Sequence, residues 1–232
     1  MTDQEIVVSI TVAAPPDVVW KALRDPELIR RWHGWDYDGL TEEVETIFVK
    51  GVIEEEPGRS FQVSDHDRFT LEEVDGGTTV RITRAPKGTN PEWDDYYEDI
   101  TEGWTTFLAQ LRFAVERHGL AERATVFLEG ETGLSHTQLL GIDVGAAGER
   151  YTATLPTGDR VTGEVWFTTA HQIGLTVDEL GEGLLIAGTQ HGNPQRPQGG
   201  SMIVLTTYDY PDHAALADRW QQWWKTVQRV HP

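Results

Sequence analysis

The chain of 232 residues contains no cysteine. That excludes disulfides, thiolate nucleophiles and cysteine-ligated zinc or iron–sulfur centres. Positive charge is scarce: 19 lysines and arginines stand against 38 aspartates and glutamates, a formal net charge of −19. An acidic surface repels phosphate backbones and anionic headgroups, and basic pairs such as Arg30-Arg31 are isolated. The expectation is no nucleic-acid partner and no membrane partner, with the excess acid serving solubility. Long apolar runs are missing, since none approaches the roughly 18–20 residues that span a bilayer. The opening MTDQEIVVS lacks the basic segment and apolar core of a secretory signal, so the expected compartment is the cytoplasm. The patterns G-x-S-x-G, H-E-x-x-H, G-x-G-x-x-G and the P-loop are absent as well. No cofactor and no catalytic residue is therefore assigned from motifs.

What is present is a patterned chain with nine tryptophans and 38% hydrophobic residues, long enough for two ordinary domains with a core each. Ile6, Val8, Ile10 and Val12 alternate with Val7, Ser9 and Thr11, which predicts a half-buried strand. Pro15 and Pro16 stop it. Pro16 suits the first turn of a helix, with Asp17 complementing its dipole, and Val19, Trp20 and Leu23 share one face. Asp25 is the N-cap of the next helix, with Pro26 behind it and Leu28, Ile29 and Trp32 on one side.

The run Ala14-x-Pro16-x-x-Val19-Trp20-x-Ala22-Leu23-x-Asp25-Pro26-Glu27-x-x-x-Arg31-Trp32, followed by Trp35, resembles the START/Bet v 1-like (SRPBCC) superfamily. Its nearest likeness is to the bacterial branch related to the C-terminal domain of the activator of Hsp90 ATPase. The likeness continues through Gly51-Val52-Ile53-Glu54, Leu71 to Thr78, and a helix holding Gly103-Trp104, and ends near Gly119. It implies a helix-grip fold, an antiparallel sheet wrapped on a long C-terminal helix. It also implies a cavity between sheet and helix that in relatives takes apolar ligands. Binding proteins, cyclase or aromatase-like enzymes and chaperone regulators all occur in the group, so fold alone does not choose among them.

Past Trp35, short strands are expected around Thr46–Val49, Gly51–Glu55, Arg59–Val63, Asp67–Val74 and Thr78–Arg84. They are broken at Pro57-Gly58, Asp65-His66-Asp67 and Asp75-Gly76-Gly77, which gives an antiparallel meander. A long helix is expected from Trp93 or Asp94 to His118, ended by Gly119, with Tyr97, Ile100, Trp104, Phe107, Leu108, Leu111 and Val115 on one side. Periodicity lapses over Gly119–Ala124. It resumes as strand at Thr125–Leu128, then as a short helix with a capping box, Ser135 and Gln138, and a staple of Leu134 on Leu139. Strands at Arg150–Leu155, Arg160–Thr168, His171–Glu179, Leu184–Thr189 and Ser201–Tyr208 follow, and a helix from Asp212 to Val230 carries the stripe Leu216, Trp220, Trp223, Val227 and Val230 beside Trp224. The two halves repeat one order, strands first and a tryptophan-bearing helix last. The expected fold class is α+β: two helix-grip domains in tandem, 1-120 and 125-232, the second degenerate, packed as an intramolecular pseudo-dimer.

Four constellations could carry chemistry. Asp65-His66-Asp67 is either a metal or acid/base cluster or a hairpin turn capped by its own aspartates. The carboxylates from Asp94 to Glu102 could hold a hard cation, but complementing the helix dipole accounts for them with fewer demands. His171, His191 and His213 show no metal-ligand spacing, and no metal is assigned. The aromatic set is the fourth. Trp32, Trp35, Phe61, Phe69, Trp104, Phe107 and Leu111, with His66 near the mouth, are the expected lining of an apolar ligand cavity; the competing reading is that they fill the core themselves. Binding of a small apolar or aromatic molecule without catalysis is the leading expectation. An enzyme using His66 or Asp36 inside the cavity, and an interaction module for a chaperone or other protein partner, are the alternatives.

Overall fold

Strand β1 (Glu5–Val12) forms where the alternation predicts it, and Val12 reaches the core. A register shift between Ile6 and Val8 takes Ile6 off the inward face, leaving it 59% exposed. The computed structural model describes residues 4–63, 66–89 and 91–230. Asp65 and the side chain of Val230 lie outside what is described. Backbone contacts divide the chain into two units, one ending at Ala121 and the other beginning at Glu122. Among the described residues no helix is long and apolar enough to cross a membrane.

In the first unit, β1 leads to helices α1 (Pro16–Arg24) and α2 (Pro26–Ile29), with Pro at the first turn of each. Asp25 caps α2 through the Glu27 N–H at 3.0 Å. Helix α3 (Leu40–Val44) then runs into a π-helical turn, Glu45–Lys50, where a strand was expected over Thr46–Val49. The β-branched Thr46, Ile47 and Val49 suggested the strand. The deciding period is four: Leu40, Val44 and Phe48 are all buried, and the Gly51 N–H reaches back to Thr46 at 2.9 Å. Arg24 donates to the Phe48 carbonyl at 2.8 Å, tying this turn to α1.

Strands β2 (Val52–Glu56), β3 (Ser60–Val63), β4 (Asp67–Val74) and β5 (Gly77–Arg84) make the meander, and β5 pairs with β1, so the sheet order is β1-β5-β4-β3-β2. Gly77 is needed at the tightest point of that pairing. A Cβ there would sit 2.2 Å from the Val12 carbonyl oxygen. The expected single helix is two: α4 (Pro91–Asp94), then α5 (Tyr97–His118). The backbone leaves helical geometry at Tyr96, while the Asp94 carboxylate accepts from the Gly88 N–H at 2.8 Å and pins α4 to the preceding loop. The acids that complement the α5 dipole are therefore Glu98 and Asp99 rather than Asp94 and Asp95. Gly119 ends the helix at φ 55°. Trp104, Leu108 and Leu111 of α5 join Val12, Val19, Leu23, Ile29, Trp32, Phe48, Phe61, Phe69 and Ile82 in one core.

The second unit repeats the plan. Strand β6 (Ala124–Gly130), helix α6 (His136–Leu140), strands β7 (Arg150–Thr154), β8 (Arg160–Thr168), β9 (Gln172–Val177), β10 (Gly183–Gln190) and β11 (Gly200–Thr207), and helix α7 (His213–Val230) follow in order. The sheet order is β6-β11-β10-β9-β8-β7. In both units the first strand pairs with the last and the others return as a meander, and a long helix follows. The fold is thus α+β with two helix-grip units in tandem, and the second is reduced: one short helix stands where the first has α1, α2 and α3. On α7 the deepest stripe is Leu216, Trp220 and Trp224, spaced by four. Trp223 and Val227 flank it rather than lead it. Arg219 on α7 donates to Asp159 of the β7–β8 turn at 2.9 Å.

The capping box of α6 is complete. Ser135 Oγ accepts from the Gln138 N–H at 3.2 Å, and Gln138 Oε1 accepts from the Ser135 N–H at 2.9 Å. Ser135→Ala is expected to cost about 1 kcal/mol, read as faster hydrogen exchange in the first turn of α6 with α5 unchanged.

Candidate functional site

Inside the first unit, aromatic packing is dense but does not close. Phe61 and Phe69, opposite one another on β3 and β4, stack at 4.8 Å between centroids, and Trp104 meets Phe69 edge-on at 5.1 Å. Beside this packed layer lies a partly enclosed cavity of about 650 Å³. Ile100, Gly103, Trp104 and Phe107 of α5, spaced i, i+3, i+4 and i+7, form one wall. The break at Tyr96 adds Trp93, Tyr96 and Tyr97, and Val63 and Ile47 bound the far side.

Three of the eight expected lining residues, His66, Trp104 and Phe107, are on this wall. Trp32, Phe61, Phe69 and Leu111 are not: each is fully buried in the core, with the Trp32 indole N–H donating to the Ala22 carbonyl at 2.9 Å. Their inward phase is as expected, but they pack into the core cluster with one another and do not border the empty volume. Trp35 is half-buried, its ring 6.3 Å from that of Phe107 and off the cavity wall, and Asp36 is also off it. His66 packs its ring against Trp93 at 4.7 Å. Of the Asp65-His66-Asp67 group, Asp67 belongs to β4 and is buried, so it does not serve a hairpin turn.

Two polar pairs on the wall escaped the sequence. The first is Asp67 with Arg84, both nearly inaccessible at 8% and 7% side-chain exposure. Arg84 Nε donates to one carboxylate oxygen at 2.6 Å, and the Trp104 indole N–H donates to the other at 2.7 Å. Arg84 Nη1 also donates to the Tyr97 carbonyl and to Thr101 Oγ1, each at 3.1 Å, and the guanidinium lies 4.9 Å from the Tyr97 ring centroid. Nη2 has no hydrogen-bond partner among the described residues. The signal was available in principle. On β5 the inward positions run Val80, Ile82, Arg84, and on β4 Asp67, Phe69, Leu71, so period two places opposite charges on the buried face of adjacent strands.

The second pair is His33 with Glu43. His33 follows Trp32 into the interior and is 1% exposed, its ring 4.5 Å from Phe107 and 5.0 Å from Phe48. His33 Nε2 and Glu43 Oε1 share a hydrogen bond at 2.8 Å, and the Tyr37 hydroxyl donates to the other oxygen of Glu43. Burial pushes the Glu43 carboxyl up. The hydrogen bonds from His33 and Tyr37 and the imidazole charge outweigh it, so the group lies below the ordinary carboxylate range. Burial and the same carboxylate push the Tyr37 phenol up to about 12. No spacing rule links position 33 to 43; α2 and α3 bring them together.

In the second unit the rings of His171 and His191 meet at 4.5 Å despite their separation in sequence, while His213 shares a 3.0 Å hydrogen bond with Thr207 instead.

No protein-family model matches the sequence, and no curated protein matches it. Solved structures do. DynU16, a putative protein in the dynemicin biosynthetic locus, is 17% identical over 98% of this chain and 97% of its own, at a TM-score of 0.34. BexL, a di-domain ARO/CYC protein from the BE-7585A biosynthetic pathway, is 12% identical over 99% of this chain and 94% of its own, at 0.35. An AHSA1-like protein from Rhizobium etli is 25% identical over 50% of this chain and 84% of its own, at 0.36. The assignment of two helix-grip units rests on the strand orders and helices described above.

Proposed function

We propose that the first unit binds a small, largely apolar molecule in the cavity beside α5. The observation that carries this reading is the volume left unfilled. A unit that packs Trp32, Phe48, Phe61, Phe69 and Leu111 to complete burial still leaves about 650 Å³ open next to them. That is a usual size for a small-molecule site, apolar with a few fixed polar groups. Gly103 supports it independently. In the middle of a helix glycine costs about 1 kcal/mol relative to alanine. Among the described residues, the nearest side-chain atom that a Cβ here would meet is the far edge of the Phe107 ring, at 3.9 Å, so the missing side chain leaves space on the cavity wall.

Displacement of an environment-sensitive apolar dye tests the proposal. Phe107→Ala should weaken dye binding roughly tenfold through lost apolar contact. Gly103→Leu should abolish it by filling the cavity while keeping the helix at least as stable. Native protein that binds no dye, or a Gly103→Leu variant that binds it undiminished, would defeat the reading.

A second reading, an acid/base enzyme, draws on one observation, the His33–Glu43 hydrogen bond on the wall. An imidazole oriented by a carboxylate can move a proton to or from a bound molecule. Turnover of a bound compound that stops in Glu43→Gln, with dye affinity kept, would favour it.

A further inference from the structure

Every donor nitrogen of Arg84 but one has an acceptor. Nε serves Asp67 at 2.6 Å, and Nη1 serves the Tyr97 carbonyl and Thr101 Oγ1, each at 3.1 Å. Nη2 is buried and has no hydrogen-bond partner among the described residues. Its N–H bonds are closed off from bulk water, on a side chain only 7% exposed. A buried donor left without an acceptor loses more than a typical hydrogen bond returns, and most so on a charged group. Turning the guanidinium does not relieve this cheaply. Asp67 holds it from β4 and Tyr97 and Thr101 hold it from α5, with the Tyr97 ring centroid 4.9 Å away.

This side chain lines the cavity. On the same wall Ile100, Gly103 and Phe107 bring no polar side-chain atom, and the Trp104 indole N–H is itself a donor, already given to Asp67. A counter-charge is not missing either, because the Asp67 carboxylate supplies one at 2.6 Å. What the donor lacks is an acceptor oxygen, and it does not need a charged one.

We infer that the cavity takes molecules in which an aromatic or alicyclic body carries a carbonyl oxygen of ketone, ester or amide type, and that Arg84 Nη2 donates to that oxygen. This rests on the cavity being a binding site; it names the class of ligand and the residue that orients it. Trp104 and Phe107 would flank the ring body, with the oxygen beside Arg84. Apolar contact supplies most of the affinity. The hydrogen bond supplies selection, since a compound without the oxygen leaves the buried donor stranded.

The test compares the methyl ketone acetylnaphthalene with isopropenylnaphthalene, which has the same planar shape and a CH2 group in place of the carbonyl oxygen. Each is used to displace the apolar dye from the full chain at neutral pH. The alkene is the more apolar of the two and would bind tighter if burial alone decided. With the hydrogen bond made, the ketone should bind about tenfold tighter than the alkene. Arg84→Met combined with Asp67→Leu removes the donor and its counter-charge together, a replacement that is often close to neutral for stability, and the preference should reverse. The carbonyl stretching band of the bound ketone needs no variant: it should fall below its frequency in an alkane solvent. A ketone that binds no tighter than the alkene would overturn the inference and keep the cavity as a binding site. So would a ketone preference that survives the double variant, or a carbonyl band unmoved from its alkane value. Binding of neither compound would overturn the inference and the binding site together.

Discussion

Arg84→Met should destabilise the first unit by about 3–5 kcal/mol, the cost of stranding one member of a buried ion pair. The methionine keeps the aliphatic stem and much of the volume, so little of the loss comes from packing. What is lost is charge compensation for Asp67, whose second oxygen would keep only the Trp104 indole N–H at 2.7 Å. The double variant Arg84→Met, Asp67→Leu should recover most of that stability, because replacing both members of a buried pair with apolar residues is often close to neutral. Hydrogen exchange at the amides of β4 and β5 reads the effect within this unit, since a chain of two units need not unfold in one step. A single variant as stable as the double would mean that water reaches Asp67 and that the pair is not buried in solution.

The second large effect belongs to Trp104, 5% exposed between Phe48, Phe69, Phe107 and the sheet. Trp104→Ala should cost about 3–5 kcal/mol, combining lost transfer energy with a cavity that merges with the existing one. Trp104→Phe separates the two contributions. It preserves a ring against Phe69 while removing the hydrogen bond to Asp67 and part of the buried indole, for an expected loss of about 1–3 kcal/mol. Because Trp104 and Arg84 share Asp67 as a partner, their effects should not add, and the shortfall measures the coupling. A loss below about 1 kcal/mol for the alanine variant would place Trp104 in solvent and the phase of α5 wrong.

The helix-grip pattern was legible because its signals are local. Asp25-Pro26 announces α2, Ser135 and Gln138 announce α6, Gly119 closes α5, and alternation reports β4 and β5 directly. The strand expected at Thr46–Val49 failed because β-branched side chains describe a residue's preference, whereas the burial of Leu40, Val44 and Phe48 is settled by the tertiary structure. The cavity wall was harder. Inward phase identifies Trp32, Phe61, Phe69, Trp104 and Phe107 alike. Which of them meet one another and which border empty space is decided by how separate elements pack, and the break at Tyr96 adds Trp93, Tyr96 and Tyr97 to the wall. His33, Glu43, Asp67 and Arg84 come from four separate segments, so their pairing depends on contacts between elements that no local pattern encodes. The inward charges on β4 and β5 are the one exception, visible from the strand period.

Both sheets are completed by pairing their first strand with their last: Val12 pairs with Thr78 and Glu5 with Arg84, while Ala124 pairs with Thr207. On the ribosome β1 therefore emerges with no partner and stays an open apolar edge until β5 has been made. β6 waits in the same way for β11. Each closure joins distant parts of the chain, which slows folding and prolongs exposure of edges prone to mispairing. Because β1 and β5 both lie in the unit that ends at Ala121, their pairing can be finished before any strand of the second unit is synthesised. The sequential order keeps two sheets of the same design from competing for each other's strands, so refolding the full chain from denaturant, where β1, β5, β6 and β11 are all present at once, should give lower yields than synthesis does.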